Sequence, residues 1–402
     1  MKKYVFLTFA VAGIGGTQIY VRNKILFLKS LGWDVTVICT ETGDDVVVKE
    51  LIPYKGHSMP ELIKNPFLFS KKQRNVIIGK MKTWIGDGYD EIVVETNIMP
   101  ATPWGELLAE QIGAKHFIFL IQEDYSLSDI RYMKFFDFKY RRGELAANTK
   151  YALKQLFEGY REIPDDKCGE LLAVCYNVVE ECESEHDSGI IEADYHIGSI
   201  GRLNKPFVLP MVKDITAFAK SYPDKTIQLV MFGGSPEQKD YDDIYAAASG
   251  ASNLKVYITG PIFPVPRHLL KMMDVFVSSA GAARTSADEG FITIAIDAND
   301  YEPIGVVGYT TSEIVHRTPG AAHESTVELL KQILIDKVFD EKKAAISVSN
   351  PDYMVVFKDH MTYIDNSSSE KAYYDIRKMK PSFLGFVKYK INRIAEIILK
   401  ND

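Results

Sequence analysis

The sequence predicts an α/β protein built from two doubly wound parallel sheets, each covered by helices on both faces. Three observations carry this. Strand-like and helix-like runs alternate along the chain. The alternation breaks off once near the middle and then restarts. At 402 residues the chain also exceeds the size at which a single core stops growing, so about two domains are expected.

The first element is MKKYVFLTFAV, an apolar run that feeds the glycine turn GIGG. A secretory signal would share its Lys2 and Lys3 and the A-x-A spacing of Ala10 and Ala12. The residues downstream favour a strand. Thr17 can cap a helix whose apolar positions Val21, Ile25 and Leu28 repeat at helical spacing, and Gly32 is a typical stop. WDVTVICT then places Val35, Val37 and Cys39 at every second position. Together these form a βαβ unit with its glycine loop at the carboxyl end of the first strand, where doubly wound sheets bind nucleotides. The sequence therefore predicts a retained N-terminus and a cytoplasmic location.

The first half continues with EIVVET, a helix from about Trp104, and the strand KHFIFLI. The second half restarts with YHIGSIG, a helix from about Phe207, TIQLVMFG, a helix near Asp240, LKVYITG, DVFVSS and PIGVVG. Between them VVEECESEHDSGIIEAD is acidic and without sustained period, which sets the domain boundary near residue 190. The expected domains are 1–190 and 191–375. A final amphipathic helix within 376–402, FLGFVKYKINRIAEIILK, is expected to pack back on the first domain.

Composition excludes several classes. With 47 Lys+Arg against 54 Asp+Glu the net charge is −7, which argues against a protein built for nucleic acid. No run approaches the roughly 18 apolar residues of a membrane span. Cys39, Cys168, Cys175 and Cys182 match neither a zinc pattern nor a disulfide framework, and the eight histidines show no ligand spacing. No metal is expected. RYMKFFDFKYRR, residues 131–142, interleaves cations and aromatics as a helix lying on an anionic membrane surface would, with structural packing as the competing reading.

Two groups of residues carry chemistry in the second half. Arg202 and Lys205 lie just beyond a strand end, where two cations can meet a diphosphate. In SADEGFITIAIDAND, Glu289 and Gly290 precede a run that reads as a helix containing Asp297. Gly290 would permit close backbone approach, and the helix N-terminus would offer free N–H groups to an anion. Along a helix the eight steps from Glu289 to Asp297 cover about 12 Å, roughly the span from a sugar to a ribose across a diphosphate.

At these residues the sequence resembles the GT-B glycosyltransferases of glycosyltransferase family 4, from the GIGGTQ loop through GRLNKPF and FGGSPE to EGFITIAID. The resemblance implies two Rossmann-like domains facing across a cleft, 1–190 on the acceptor side and 191–375 holding the nucleotide-sugar donor, and transfer of a sugar from a nucleotide diphosphate with retention, without a cofactor. It implies Gly15, Gly16 and Thr17 in the loop beneath the donor phosphate and Arg202 and Lys205 on the diphosphate. Glu289, with Gly290 and Phe291 beside it, would hold the sugar, and Asp297 the ribose. Phe232, Gly233 and Ile262 would line the base pocket. The sequence departs from the family in E-x7-D for E-x7-E, in Arg-x2-Lys for Arg-x4-Lys, and in the absence of the family's first-domain histidine. LIQEDYS supplies Gln122, Glu123 and Asp124 there, while His116 lies at the wrong end of its strand. Deprotonation of the acceptor by Glu123 or Asp124 and departure of the phosphate assisted by the acceptor itself both remain open. The expected partners are a nucleotide-sugar donor and a glycan or lipid-linked glycan acceptor, in bacterial surface polysaccharide assembly. A GT-B epimerase acting on the nucleotide sugar, or a non-catalytic relative binding glycan or a partner transferase, are the alternatives.

Overall fold

Strand β1 (Lys2–Thr8) lies inside the first sheet and is buried from Tyr4 onward on both faces, which is why it reads as an unbroken apolar run. The structure is a computed structural model that describes residues 1–41, 43, 45–122, 127, 129–318, 320–340, 344 and 350–381. It divides into two compact units, Met1–Val174 together with the chain from Asp352, and Cys175–Pro351.

In the first unit β1 is followed by α1 (Gly16–Ser30), β2 (Asp34–Cys39), α2 (Lys71–Ile85), β3 (Glu91–Thr96) and α3 (Thr102–Ile112). Then come β4 (Lys115–Leu120), α4 (Ile130–Arg141), β5 (Leu145–Ala147) and α5 (Lys150–Leu156). The strands run parallel in the order β2-β1-β3-β4-β5, so the chain reverses its direction of sheet growth between β1 and β3. Thr17 does not cap α1. The capping position is Gly15, in extended backbone and without a side-chain cap, and Thr17 falls in the first turn.

The aromatic stretch 131–142 proves to be core. Phe135 and Phe136 are fully buried with Met133 against Leu145, Leu153, Phe157, Ile376 and Met379. Phe138 packs on Tyr374 at 5.6 Å, while Arg131 pairs with Asp129, Arg141 with Asp137 and Arg142 with Glu144. The expectation that these rings enter a lipid interface is therefore corrected: they fill the space between α4, α5 and the returning chain. No described helix is long and apolar enough to cross a membrane.

Two buried polar clusters flank the first sheet. On the α1 face, Lys24 Nζ lies 2.5 Å from Glu95, which also accepts from the Tyr4 and Tyr20 hydroxyls at 2.6 and 2.8 Å. On the α3 face, Glu106 meets His116 at 2.6 Å and Lys139 at 2.5 Å.

The second unit begins with the short β6 (Val179–Glu180), followed by β7 (Tyr195–Ile200), α6 (Val208–Ser221), β8 (Ile227–Phe232), α7 (Gln238–Ala248) and β9 (Leu254–Ile258). Next are β10 (Val265–Pro266), α8 (Arg267–Leu270), β11 (Val275–Ser278), α9 (Ala280–Asp288), β12 (Thr293–Ile296), β13 (Pro303–Val306) and α10 (Thr326–Leu330). The sheet order is β13-β12-β11-β7-β8-β9, and here the reversal falls between β7 and β11. PIGVVG, expected as a further parallel strand, is an antiparallel edge.

The chain then returns to the first unit as α11 (Tyr353–Asn366), packing Phe357 against Phe27 and Tyr20 of α1. The boundaries thus fall at 174/175 and 351/352 rather than near 190 and 376. The acidic segment belongs to the second unit because Val179 and Glu180 pair with β10, and the return starts earlier because α11 supplies the apolar face that covers α1. The final helix expected in FLGFVKYKINRIAEIILK lies outside the described residues.

Candidate functional site

In open α/β sheets a ligand binds beyond the carboxyl ends of the strands where the order reverses, which in the second unit means the ends of β7 and β11. β7 leaves the sheet through Gly201, at φ 137°. β11 leaves through Ser278 and Ser279 into Ala280, whose φ of 52° is left-handed in a residue with a Cβ. Side chains tie these ends together: the Ser278 hydroxyl accepts from the Ile200 N–H at 3.1 Å, and Ser279 Oγ donates to the Ile296 carbonyl at 2.8 Å. The Ala280 N–H donates to the Ile314 carbonyl at 2.7 Å, holding the turn that aims α9 at the reversal point.

The nine-residue α9 starts there with no side-chain cap and no acidic residue in its first turn. Such a helix start presents N–H groups and positive dipole to an anion. Arg284, one turn in, adds a cation. Its Nη1 donates to the Tyr176 hydroxyl at 3.3 Å and its guanidinium stacks 5.5 Å from that ring, while its Nε is buried with no partner. Tyr176 also lies against Gly281, where a Cβ would come within 3.2 Å of the ring.

Among the residues singled out in the sequence, Arg202 and Lys205 lie exposed in the turn after β7, on this edge. Gly233 follows β8 so closely beside this turn that a Cβ on it would come within 1.8 Å of the Gly201 carbonyl oxygen. Only glycine fits there. Phe232 is core rather than pocket lining, buried with Val230, Val265 and Phe276, and Ile262 packs half-buried on the same cluster.

Glu289, Gly290 and Phe291 are not where the sequence reading put them. No helix follows Gly290. Glu289 is the C-cap just after α9, Gly290 follows in the left-handed region at φ 89°, and FITIAI supplies strand β12. Since nine residues of helix span about 13 Å, these residues sit at the far end of α9 from the reversal point. Burial pushes the Glu289 carboxyl up, opposed by Arg267, with which it forms an ion pair. Phe291 packs on Phe276 with the rings tilted by 53° and their centroids 5.3 Å apart.

Asp297 is in no helix either, but the end of β12 keeps it on the carboxyl edge. Burial pushes its carboxyl up. The Arg317 and Asn299 N–H groups, which it accepts at 2.6 and 2.8 Å, outweigh this and hold it below its ordinary value, with His316 assisting. Both oxygens are thus engaged in shaping the loop 297–317.

Gly15, Gly16 and Thr17 open α1 at the carboxyl edge of the first sheet. Gly15 is in extended backbone, which any residue adopts, so its φ does not require glycine. Glu123 and Asp124 lie outside the described residues. The start of α9 was missed because AGAAR carries no strong period and FITIAI is a short apolar run that fits helix or strand alike. Its one legible signal was DVFVSS, a strand ending in two serines before small residues.

No protein-family model matches the chain, and no curated protein matches it in sequence. Solved structures do match. HepE from Anabaena in complex with UDP and glucose is similar over 90% of this chain and 99% of its own, at 14% identity and a TM-score of 0.59. A glycosyltransferase from Rickettsia africae ESF-5 is similar over 100% of this chain and 99% of its own, at 17% and 0.56. S. aureus MnaA in a co-structure with UDP covers 93% of this chain and 99% of its own, at 14% and 0.51. At such identities the likeness shows the fold, which is α/β with two Rossmann-like units of the GT-B class.

Proposed function

We propose that the chain is a metal-independent GT-B glycosyltransferase that takes a nucleotide-diphosphate sugar in its second unit. The sugar passes, with retention, to a glycan or lipid-linked glycan in bacterial surface polysaccharide assembly. The observation that carries this reading is the uncapped start of α9 at the reversal point of the second sheet. A diphosphate there would meet the first-turn N–H groups, with Arg284 from α9 and Arg202 and Lys205 from the turn after β7 supplying positive charge. Ala280 supports it, because backbone strain of about 1–2 kcal/mol is retained where a site needs a fixed geometry. The bound UDP in HepE and MnaA, which share the fold, points to the same ligand class.

Thermal stabilisation by a panel of UDP, GDP, ADP and dTDP sugars tests the reading, since a ligand that binds only the native state raises its apparent stability. One nucleotide series should raise Tm in wild type and fail to do so in Arg284→Gln. Stabilisation by none of them, or equal stabilisation of the variant, would refute the site. Turnover of the donor with no acceptor present would instead assign an epimerase.

A further inference from the structure

At the amino edge of the first sheet, where β4 begins, the returning chain closes a cavity of about 110 Å³. The first unit supplies both walls. On one side Gly113, left-handed at φ 66°, ends α3 and leads through Ala114 into Lys115, and Arg142 and Gly143 follow α4. On the other side the chain runs from Ser368 to Tyr373, just beyond α11. The Ser368 N–H donates to the Arg142 carbonyl at 2.9 Å and the Tyr373 hydroxyl to the Ala114 carbonyl at 3.0 Å, so the two walls are bonded together.

Four cations line the cavity: Lys115, Lys139, Arg142 and Lys371. Two of them are matched by acids. Lys139 is 1% exposed and meets Glu106, Glu144 and the His116 carbonyl, one acceptor for each of its protons. Arg142 pairs with Glu144 through Nε and Nη2, which leaves the buried Glu144 with both oxygens engaged. His116 likewise has Glu106 on one ring nitrogen and Thr96 on the other. The other two cations are held by neutral groups. Lys115 Nζ donates to the Ile364 carbonyl at 2.7 Å and Lys371 Nζ to the Gly113 carbonyl at 2.8 Å, and among the described residues neither meets a carboxylate. An ammonium has three protons, so each keeps two for another acceptor.

The groups left over in this cavity are thus donors, and their charge is positive. Their occupant must accept hydrogen bonds, and an anion does so with about twice the strength of a neutral acceptor. Size narrows the choice. Pockets that enclose a drug-sized ligand run to about 300–1,000 Å³, so this one holds a single small ion and not a nucleotide. We propose that the cavity binds a small tetrahedral oxyanion, phosphate or sulfate, as the free ion, and that the bound ion staples the returning chain to β4 and to the end of α4. Glu370 belongs to the same wall with its side chain exposed, and its charge opposes the ion. The site lies in the first unit and does not rest on the nucleotide reading of the second.

Calorimetry and thermal unfolding of the full chain test this, with sodium phosphate and sodium sulfate compared with chloride at equal ionic strength and UDP titrated separately. Phosphate and sulfate should bind the wild type, compete with each other, and raise Tm where chloride does not. Lys371→Ala, at an exposed position, and Lys115→Met, which keeps most of the apolar stem, should each weaken phosphate roughly tenfold or more. Glu370→Gln should strengthen it, and UDP affinity should be unchanged in all three variants. Glycerol 2-phosphate, too large for the cavity, should bind roughly tenfold more weakly than phosphate or worse. No binding beyond the chloride control, or unchanged phosphate affinity in both lysine variants, overturns the proposal and leaves the cavity to water. Phosphate binding lost in Arg284→Gln but kept in Lys371→Ala does so as well, and assigns the ion to the start of α9. Glycerol 2-phosphate binding as tightly as phosphate overturns the free ion in favour of a phosphomonoester. Phosphate binding of the expected pattern without any UDP binding would leave this proposal standing and refute the nucleotide site.

Discussion

The closest apposition in the candidate site makes a sharp test. Replacing Gly233 by alanine places a methyl carbon 1.8 Å from the Gly201 carbonyl oxygen and 2.7 Å from its carbonyl carbon. The obstructing atoms are backbone, so no rotamer change relieves the clash. Gly201 must move by more than an ångström, and it carries the turn to Arg202 and Lys205 with it. Forced shifts of this kind cost about 1–3 kcal/mol, which for a chain of 402 residues lowers Tm by roughly 1–4 °C. If the turn after β7 serves a diphosphate, UDP affinity should fall by about tenfold or more as well. Gly281→Ala is the control. There the Cβ meets only the movable ring of Tyr176 at 3.2 Å, and alanine favours a helix over glycine by about 1 kcal/mol, so stability should hold or rise. Differential scanning fluorimetry and calorimetry with UDP read both quantities. A Gly233→Ala protein with wild-type Tm and UDP affinity would refute the geometry of the edge. A stable protein that has lost only UDP binding would separate the site from the fold.

Three other perturbations test separate parts of the structure. Glu289→Gln should leave affinity for the donor within about twofold, because Glu289 pairs with Arg267 at the far end of α9; a large loss would restore the role the sequence suggested. Burial raises the Glu106 carboxyl, but Lys139 and His116 more than offset this and bring it down from 4.5 to about 2. A depressed folded value means that its stabilisation is complete above the unfolded value and is lost as pH falls from 4.5 toward 2. Urea midpoints should therefore drop across that window in wild type, and Glu106→Gln should be less stable at neutral pH with a flatter acid limb; parallel profiles would reject the pairing. Phe136→Ala should cost about 3–5 kcal/mol, as for a large core ring, and an unchanged urea midpoint would return residues 131–142 to the surface.

The alternation that marks the fold was legible because central strands of a parallel sheet are buried on both faces and so appear as unbroken apolar runs, YVFLT and IQLVMF among them. The same physics makes such runs ambiguous when they are short. FITIAI was read as helix because Glu289-Gly290 before it looked like a helix start, yet a glycine ends a helix as readily as a loop precedes one. The buried clusters were not legible at all. Lys24 sits on the apolar stripe of α1 between Tyr20 and Leu28, and only the distant Glu95 on β3 explains a cation there. Likewise the cations of RYMKFFDFKYRR suggested a charged surface until Lys139 was found buried between Glu106 and Glu144.

The misread helix matters for mechanism as well as for topology. With FITIAI as strand β12, the run from Glu289 to Asp297 is extended and joins opposite edges of the sheet, so the two carboxylates cannot flank one diphosphate. The family resemblance assigned the sugar to Glu289, and its place beyond the end of α9, paired with Arg267, does not support that role. At the reversal point α9 begins with alanines and glycine and has no acidic residue in its first turn, so this edge presents N–H groups with Arg284 one turn in. Phosphate recognition needs cations and N–H donors, which is why the proposed donor site rests on the start of α9 and Arg284 rather than on Glu289.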